Sequence, residues 1–225
     1  MFHPGPTVFS FKGLLGERVD IAQSLAALAL ILLVLSGFSN FLWVATILAM
    51  LLVSIYLHEL GHAWACEVQG IPVRRIVLFG GGGFCEHKRS GSRGQLEFIT
   101  IMGPLVNLAL WAIASLGAWL IWSGPQSGLD IVGSYLTLFA RLNLALFIFN
   151  LLPVHPLDGG KLFHLLLTRA LPRGLAMRIA GAVGLVVSVL WWPALFLVYI
   201  NYGWLLLFAP PIMYHYHMAR GEARI

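Results

Sequence analysis

The sequence has few charged residues and almost no cysteine. Charged residues make up 10% of the 225 residues, whereas an ordinary soluble domain contains about 25%. So few charges cannot cover the surface of a soluble domain, and the hydrophobic share of 59% indicates a membrane protein instead. The aromatic share of 12% also excludes a disordered chain.

Three further absences narrow the possible functions. Cys66 and Cys85 are the only cysteines, too few for a disulfide-rich secreted fold or a zinc site of four thiolates. The net charge is +5, but no basic stripe with interleaved aromatic residues is present, so we expect no nucleic-acid partner. Residues 1–20 contain no apolar core followed by a small-residue cleavage site, so we expect no cleavable signal peptide.

What the sequence does contain is a series of apolar stretches, which predicts an all-α polytopic membrane protein of about six transmembrane helices. The candidate spans are roughly Ile21–Phe38, Phe41–Val68, Phe98–Trp122, Ile131–Leu152, Leu175–Trp192 and Ala194–Tyr214. Lysine and arginine occur in every second connection and are missing from the alternate ones. The positive-inside rule therefore predicts that both termini and the basic loops are cytoplasmic. We expect one integral-membrane domain covering residues 1–225.

Two segments are expected to be extended. Thr7–Lys12 precedes the first span, and Val73–Phe84, between the second and third spans, has the pattern of a strand that ends in four glycines. Glycine runs in strands mark bulges or the close approach of another backbone. We therefore expect a short membrane-associated β element between the second and third spans; the alternative is a simple re-entrant turn.

The motif His58-Glu59-Leu60-Gly61-His62 is the strongest chemical signal in the sequence. Residues four apart share a helix face, with Cβ atoms about 5–6 Å apart, so both imidazoles can bind one zinc ion. Glu59 lies beside them and can accept a proton from the water that zinc activates. Each ionisable group in a membrane helix costs about 2.5–3.5 kcal/mol, so this cluster indicates a functional site rather than a polar helix end.

A catalytic zinc site needs a third protein ligand. Cys66 and Glu67 lie too far along the same helix to converge on the ion with both histidines. His155 and Asp158 lie beyond the fourth span, where prolines and glycines interrupt the helix. Irregular backbone at membrane depth is tolerated only inside protein or beside a water-filled cavity, which suits a ligand. The predicted topology puts this break and the histidine pair on the cytoplasmic side, and we favour Asp158 over His155.

Together these motifs resemble the site-2 protease family of intramembrane zinc metalloproteases. The metal motif at 58–62, Gly-Pro-Leu-Val-Asn at 103–107 and the segment NLLPVHPLDGG at 150–160 match the family's motifs in the family's order. The glycine-rich strand lies where the family has a membrane-associated strand. The first, fifth and sixth predicted spans match only as hydrophobic helices.

The resemblance implies one zinc ion per chain, bound by His58, His62 and Asp158. It implies that Glu59 is the general base, and that Asn150 contacts the substrate or stabilises the oxyanion. An unwound substrate segment would pair as an added strand along Val77–Phe84. Proline at Ile76 or Leu78 is therefore expected to impair cleavage without releasing zinc.

The implied function is an intramembrane zinc endopeptidase that performs regulated proteolysis of a membrane-anchored protein near the cytoplasmic face. The implied partners are that protein substrate, such as an anti-sigma factor or a pro-sigma factor, the lipid bilayer and a regulatory membrane partner. The chain resembles a compact form without the PDZ or CBS domain of many relatives, and the resemblance implies a prokaryotic cell membrane.

Two alternatives are weighed against this function. Membrane metalloproteases of the CAAX-processing or heat-shock type take a downstream glutamate as third ligand, but Glu86 and Glu97 are expected in a basic loop without that family's pattern. A metal-binding membrane scaffold or transporter without proteolysis would need no base at Glu59.

Four further polar or small residues are expected to have structural roles. Gly103 and Asn107 are expected to serve helix packing, and Asn143 to share a helix face with Asn150. His215 is expected to belong to an interfacial anchor at a membrane boundary.

Overall fold

The computed structural model describes residues 5–88, 91–124, 128–202 and 208–222. The chain divides into two compact units, Met1–Phe147 and Ile148–Ile225. Within the described residues, the first unit contains β1 (Thr7–Lys12), β2 (Arg18–Ala22), α1 (Gln23–Leu35), α2 (Gly37–Val68), β3 (Val73–Phe79), β4 (Gly82–His87), α3 (Arg93–Ser123) and most of α4 (Asp130–Asn150). The second unit contains α5 (Asp158–Ala170), α6 (Arg173–Tyr202) and α7 (Ile212–Arg220).

Four helices of the described residues are long and apolar enough to cross a membrane: Gly37–Val68, Arg93–Ser123, Asp130–Asn150 and Arg173–Asn201. Each has at least the roughly 20 residues that about 30 Å of hydrocarbon requires. The first three confirm the predicted second, third and fourth spans. The predicted count of six is not confirmed.

The two ends of the predicted span series differ from expectation. The first predicted span begins inside β2 and continues as α1, which has only 13 residues. The chain then turns at Gly37, whose positive φ of +68° separates α1 from α2. At the other end, α6 runs without a break through Pro193, where a boundary between the fifth and sixth spans was predicted. Residues 203–207 of the predicted sixth span lie outside the described residues.

The strands form one sheet in the order β1-β2-β3-β4. The outer pairs are antiparallel, whereas β2 and β3 are parallel, with α1 and α2 as the connection between them. The predicted strand Val73–Phe84 is thus a hairpin whose turn lies in the glycine run. The β element between the second and third spans is confirmed, and it belongs to a larger sheet because β2 was missed.

The two faces of the sheet differ in chemistry. Val19, Ile76 and Leu78 are buried against Ala63 of α2. On the opposite face Asp20 accepts hydrogen bonds from Arg18 at 2.7 Å and from Arg75 at 3.0 Å. Burial alone would raise the pKa of Asp20, but hydrogen bonds from Ser10 and the two arginines outweigh it and hold that pKa below its ordinary value. The sheet is therefore packed against α2 on one face and held together by ion pairs on the other.

In the second unit, α6 and α7 pack closely through glycines of α6. A Cβ at Gly181 would collide with the backbone of Met218 and Ala219. The helix α5 was not expected, because its segment was read as part of a basic loop. It begins at Asp158, and its first three residues, Asp158, Gly159 and Gly160, are buried.

Candidate metal and catalytic site

The helix α2 brings the predicted motif together as expected. His58, Glu59 and His62 are all buried, and one ligand atom of each lies within 4.8 Å of the others. The motif occupies two adjoining faces of α2 near its carboxyl end. The histidines face α3, whereas Glu59 faces β4.

The two histidine rings present the same nitrogen to one point. Their Nε2 atoms lie 3.2 Å apart, close to the separation of about 3.3 Å expected for two ligands at about 2.05 Å from one tetrahedral zinc ion. His62 Nδ1 donates to the carbonyl oxygen of Ile99 at 2.7 Å, so the proton of the neutral ring is on Nδ1. Nε2 of His62 is then a lone-pair donor, as a metal ligand must be.

The ring of His58 is oriented by a side chain of α3. Its Nδ1 donates to Oδ1 of Asn107 at 2.6 Å. Asn107 Nδ2 donates to Oδ1 of Asn143 on α4 at 3.0 Å, and Asn143 Nδ2 donates to Oγ of Ser54 at 3.0 Å. Both asparagines are fully buried. This chain of hydrogen bonds fixes the tautomer that turns Nε2 of His58 toward Nε2 of His62.

Gly103 of α3 leaves room beside the two Nε2 atoms. A Cβ at this position would lie 2.6 Å from Nε2 of His58 and would also collide with Nε2 of His62. Helix packing was the expected role of Gly103, and the structure adds that its missing side chain lets both imidazole tips lie against the backbone of α3. Two buried imidazoles with matched tautomers and adjacent Nε2 atoms fit a divalent metal ion.

Glu59 lies against the first residues of β4. A Cβ at Gly83 would be 2.6 Å from Cγ and 2.8 Å from Oε1 of Glu59. The glycine run therefore contributes to the site as well as to the turn, because it lets the strand backbone approach the carboxylate. Cys85, two residues further along β4, is half-buried, and its pKa is raised by the hydrogen bond that its thiol donates to Cys66 and by burial.

The predicted third ligand lies in the second unit. Asp158 is the first residue of α5, where the partial positive charge of the helix N-terminus stabilises a carboxylate. Its Oδ1 accepts a hydrogen bond from Lys161 Nζ at 3.1 Å. Gly159 and Gly160 fold tightly onto the preceding loop, since a Cβ at Gly160 would lie 2.6 Å from the backbone nitrogen of His155. The assignment of Asp158 as a ligand stays a prediction.

Other candidates have identifiable environments. Asn150, predicted to be catalytic, is the last residue of α4 and half-buried. Cys66 is buried on α2, whereas Glu67 is exposed. Glu86 is bound by Arg75 and Arg74, and the hydrogen bond from Arg75 lowers its pKa against the opposing effect of burial.

Two residues lie elsewhere than the sequence analysis placed them. Glu97 is buried within α3, because that helix begins at Arg93 through a capping box of Ser92 and Gln95, and not in a loop. His215, expected at a membrane boundary, is completely buried on α7. The local sequence does not predict this burial, because His215 stands between two tyrosines.

The site consists of a buried His-Glu-His cluster on a helix long enough to span a membrane. The Nδ1 atoms of both histidines are held by hydrogen bonds, which orients their Nε2 atoms. These features define a membrane metalloprotease type of site. Comparison with known proteins agrees. The model of peptidase family M50 matches residues 46–126 and 121–191, more than half of the chain, and the chain belongs to this family. Zinc is the metal that the family and the cluster support.

Two curated proteins are similar to this chain over about half of their own length. A zinc metalloprotease of Methanocaldococcus jannaschii is 28% identical over 76% of this chain and 49% of its own length. Stage IV sporulation protein FB of Bacillus subtilis is 32% identical over 59% of this chain and 47% of its length. The chain thus spans about half the length of these curated relatives.

A solved structure is similar over almost the whole chain. The site-2 protease from Methanocaldococcus jannaschii aligns with a TM-score of 0.65 and 25% identity, covering 96% of this chain and 95% of that one. The site-2 protease fold, with apolar helices and a small sheet, therefore fits this protein.

Proposed function

We propose that this protein is an intramembrane zinc endopeptidase that cuts a membrane-anchored protein near the cytoplasmic face. The observation that carries the proposal is the pair of buried Nε2 atoms, 3.2 Å apart, with Glu59 beside them on an apolar helix. Membership of peptidase family M50 supports it. The whole chain acts as one metalloprotease domain, because the matched segments continue across both units.

The ligand set is His58, His62 and Asp158. Zinc supplies Lewis-acid polarisation and lowers the pKa of water toward about 7 when it is bound. Glu59 accepts the proton of the attacking water and later delivers it to the leaving amine. Asn150 donates a hydrogen bond to the oxyanion that develops on the peptide carbonyl.

The substrate pairs with the sheet along β4 rather than along β3. In the described residues β3 lies between β2 and β4, so its edges are already occupied, whereas β4 is an outer strand. A substrate helix must unwind before its carbonyl is accessible, and strand addition would hold the unwound segment. Because Gly83 touches Glu59, a strand added at this edge would pass close to the general base.

Proline at Ile76 or Leu78 does not test this pairing, because both residues lie in the apolar core of the sheet. A proline there would disrupt the fold as well as any contact with substrate. A better test replaces both native cysteines and forms a disulfide between Phe84→Cys on β4 and a single cysteine beside the scissile bond, in a Glu59→Gln background. Val8→Cys on β1, at the opposite edge, is the matched control. Crosslinking from position 8 but not from position 84 contradicts the pairing.

We further propose a multi-pass protein of a prokaryotic cell membrane with both termini cytoplasmic, acting with a regulatory membrane partner. The four apolar helices support integration into the bilayer. The segments between α2 and α3 and between α4 and α6 contain lysine and arginine, whereas the connection between α3 and α4 contains neither, and this difference supports the orientation.

One experiment tests the catalytic assignment. Wild type, Glu59→Gln and Asp158→Ala are expressed with a single-span substrate, and bound zinc and cleavage are measured separately. We expect Glu59→Gln to retain zinc and lose cleavage, and Asp158→Ala to lose both. Exposed Asp130→Asn is the control for loss of an acidic residue. Full cleavage by Glu59→Gln would exclude proteolysis at this site, and full zinc in Asp158→Ala would move the third ligand elsewhere.

A further inference from the structure

His215 is a completely buried histidine that the proposed chemistry does not use. It lies on α7 and accepts a hydrogen bond at Nε2 from the backbone N–H of His155, at 3.0 Å. Its other nitrogen, Nδ1, is 2.9 Å from the carbonyl oxygen of Pro211 and 3.2 Å from Oγ of Ser188. Both ring nitrogens are thus engaged, one with the loop before α5 and the other with α6 and α7.

The hydrogen bonds define the protonation of this ring. Because Nε2 accepts from a backbone amide, it carries no proton, and Nδ1 must donate. Pro211 offers only a carbonyl oxygen, and the hydroxyl of Ser188 already donates to the carbonyl oxygen of Gly184 at 2.7 Å. Burial lowers the pKa of His215, which favours the same neutral form. His215 is therefore a fixed, neutral hydrogen-bond acceptor for the loop.

The fold makes space for the ring at a specific position. A Cβ at Gly184 of α6 would collide with Cδ2 of His215. The imidazole is therefore inserted against the backbone of α6, which explains how a residue between two tyrosines becomes fully buried. A surface histidine would need no such space.

The loop that receives this bond leads directly to Asp158. It is built from tight turns, since Val154 donates to Leu152 at 2.7 Å and Leu157 donates to Val154 at 3.1 Å. The start of α5 rests on it, because a Cβ at Gly160 would lie 2.6 Å from the nitrogen of His155. The bonded amide of His155 therefore touches the helix turn that begins with Asp158.

We propose that His215 is a positioning residue that holds the loop at 151–157 and thereby orients the carboxylate of Asp158. The inference rests on the proposed role of Asp158 as third zinc ligand. It assigns to the carboxyl-terminal helix α7 a function in metal binding, through a backbone amide rather than through contact with zinc. Loss of a hydrogen bond made directly to a metal ligand typically weakens metal affinity about 10–100-fold, and because His215 acts one step further from the ligand we expect about 10-fold.

The test compares His215→Gln with His215→Met in the full-length detergent-solubilised protein. The two side chains have similar size, but only glutamine offers an acceptor to the amide of His155. Zinc affinity is measured by competition with a chromophoric chelator, and hydrogen exchange is followed in peptides covering 151–157. We expect His215→Met to bind zinc about 10-fold more weakly and to exchange faster in this loop, with both effects reversed in His215→Gln. Exposed His217→Met on the same helix is the control and should match wild type.

The outcomes separate this inference from the proposed function. If Asp158→Ala weakens zinc binding while His215→Met changes neither zinc affinity nor exchange, the inference about His215 is wrong and the ligand assignment stands. If Asp158→Ala binds zinc like wild type, the ligand assignment and the zinc-positioning role of His215 are both wrong. Equal loss of zinc affinity in His215→Gln and His215→Met also overturns the inference, because the acceptor would then be irrelevant. Should His215→Met fail to fold, Gly184→Ala, which displaces the ring, is compared with wild type by the same two measurements, and unchanged values overturn the proposal.

Discussion

Asn107 accepts a hydrogen bond from Nδ1 of His58 across the interface between α3 and α2, at 2.6 Å. The sequence analysis gave Asn107 a packing role, and it does join two helices. Its more specific effect is on the tautomer of a metal ligand, because a ring that donates through Nδ1 keeps Nε2 free of a proton. This relationship leads to the first prediction.

Asn107→Ala should weaken zinc binding by about 10–100-fold, the usual cost of losing such a partner. The substitution leaves the ring of His58 without its acceptor and also breaks the bond to Asn143. The measurement is zinc affinity by chelator competition. Thr100→Ala is the control, because among the described residues this buried hydroxyl on α3 donates to Leu96 within its own helix. An Asn107→Ala protein with wild-type zinc affinity would show that His58 does not need this acceptor.

Gly103→Ala should abolish zinc binding while the protein still folds. The added methyl group would occupy the space beside both Nε2 atoms, 2.6 Å from that of His58. Bound zinc is measured in purified protein, together with the thermal unfolding midpoint. Gly117→Ala on the same helix is the control, since its Cβ would meet only the end of the Leu136 side chain, at 3.2 Å. Normal zinc content in Gly103→Ala would show that the metal is held elsewhere.

Gly83→Ala should reduce cleavage strongly while zinc content stays unchanged. The new Cβ would lie 2.6 Å from Cγ of Glu59, so the carboxylate must move, but the histidines are not touched. The informative measurement is the ratio of cleavage rate to bound zinc. Gly81→Ala in the turn is the control, because the neighbouring ring of Phe79 can move aside. Parallel loss of zinc and cleavage would argue against a separate role for Glu59.

Acidification should destabilise the protein through the ion pairs of the sheet. The folded-state pKa of Asp20 lies below its ordinary value of about 3.9. Its stabilising contribution is therefore complete above about pH 4 and is lost as the pH falls through the folded value. Asp20→Asn should unfold at lower temperature at pH 7 and lose less stability on acidification than wild type. Exposed Asp130→Asn is the control, and an identical acid response of Asp20→Asn and wild type would contradict the prediction.

The parts of the structure that the sequence predicted are those governed by local periodicity. The i, i+4 spacing of His58 and His62 placed both rings on one helix face, and the long apolar stretches gave three of the spans. The position of Glu59 beside the two histidines followed from its place in the motif. These inferences needed no knowledge of distant contacts.

The parts that the sequence missed depend on contacts between distant segments. The strand β2 is too short for its alternating pattern to be recognised in the sequence. It is defined by distant contacts, the pairing of Val19 with Ile76 and the ion pair of Asp20 with Arg75. Nothing near Asn107 indicates that its partner is His58, and nothing near His215 indicates that Gly184 makes room for it. Pro193 suggested a helix end, but α6 continues through it, as apolar membrane helices often allow.

One face of β4 is turned toward Glu59 of α2, and this affects where a substrate would be cut. Side chains of a strand alternate between faces, so a chain added along β4 can slip by two residues and keep the same side chains toward α2, but a slip of one reverses them all. Under the proposed pairing, secondary products should therefore differ from the main product by even numbers of residues.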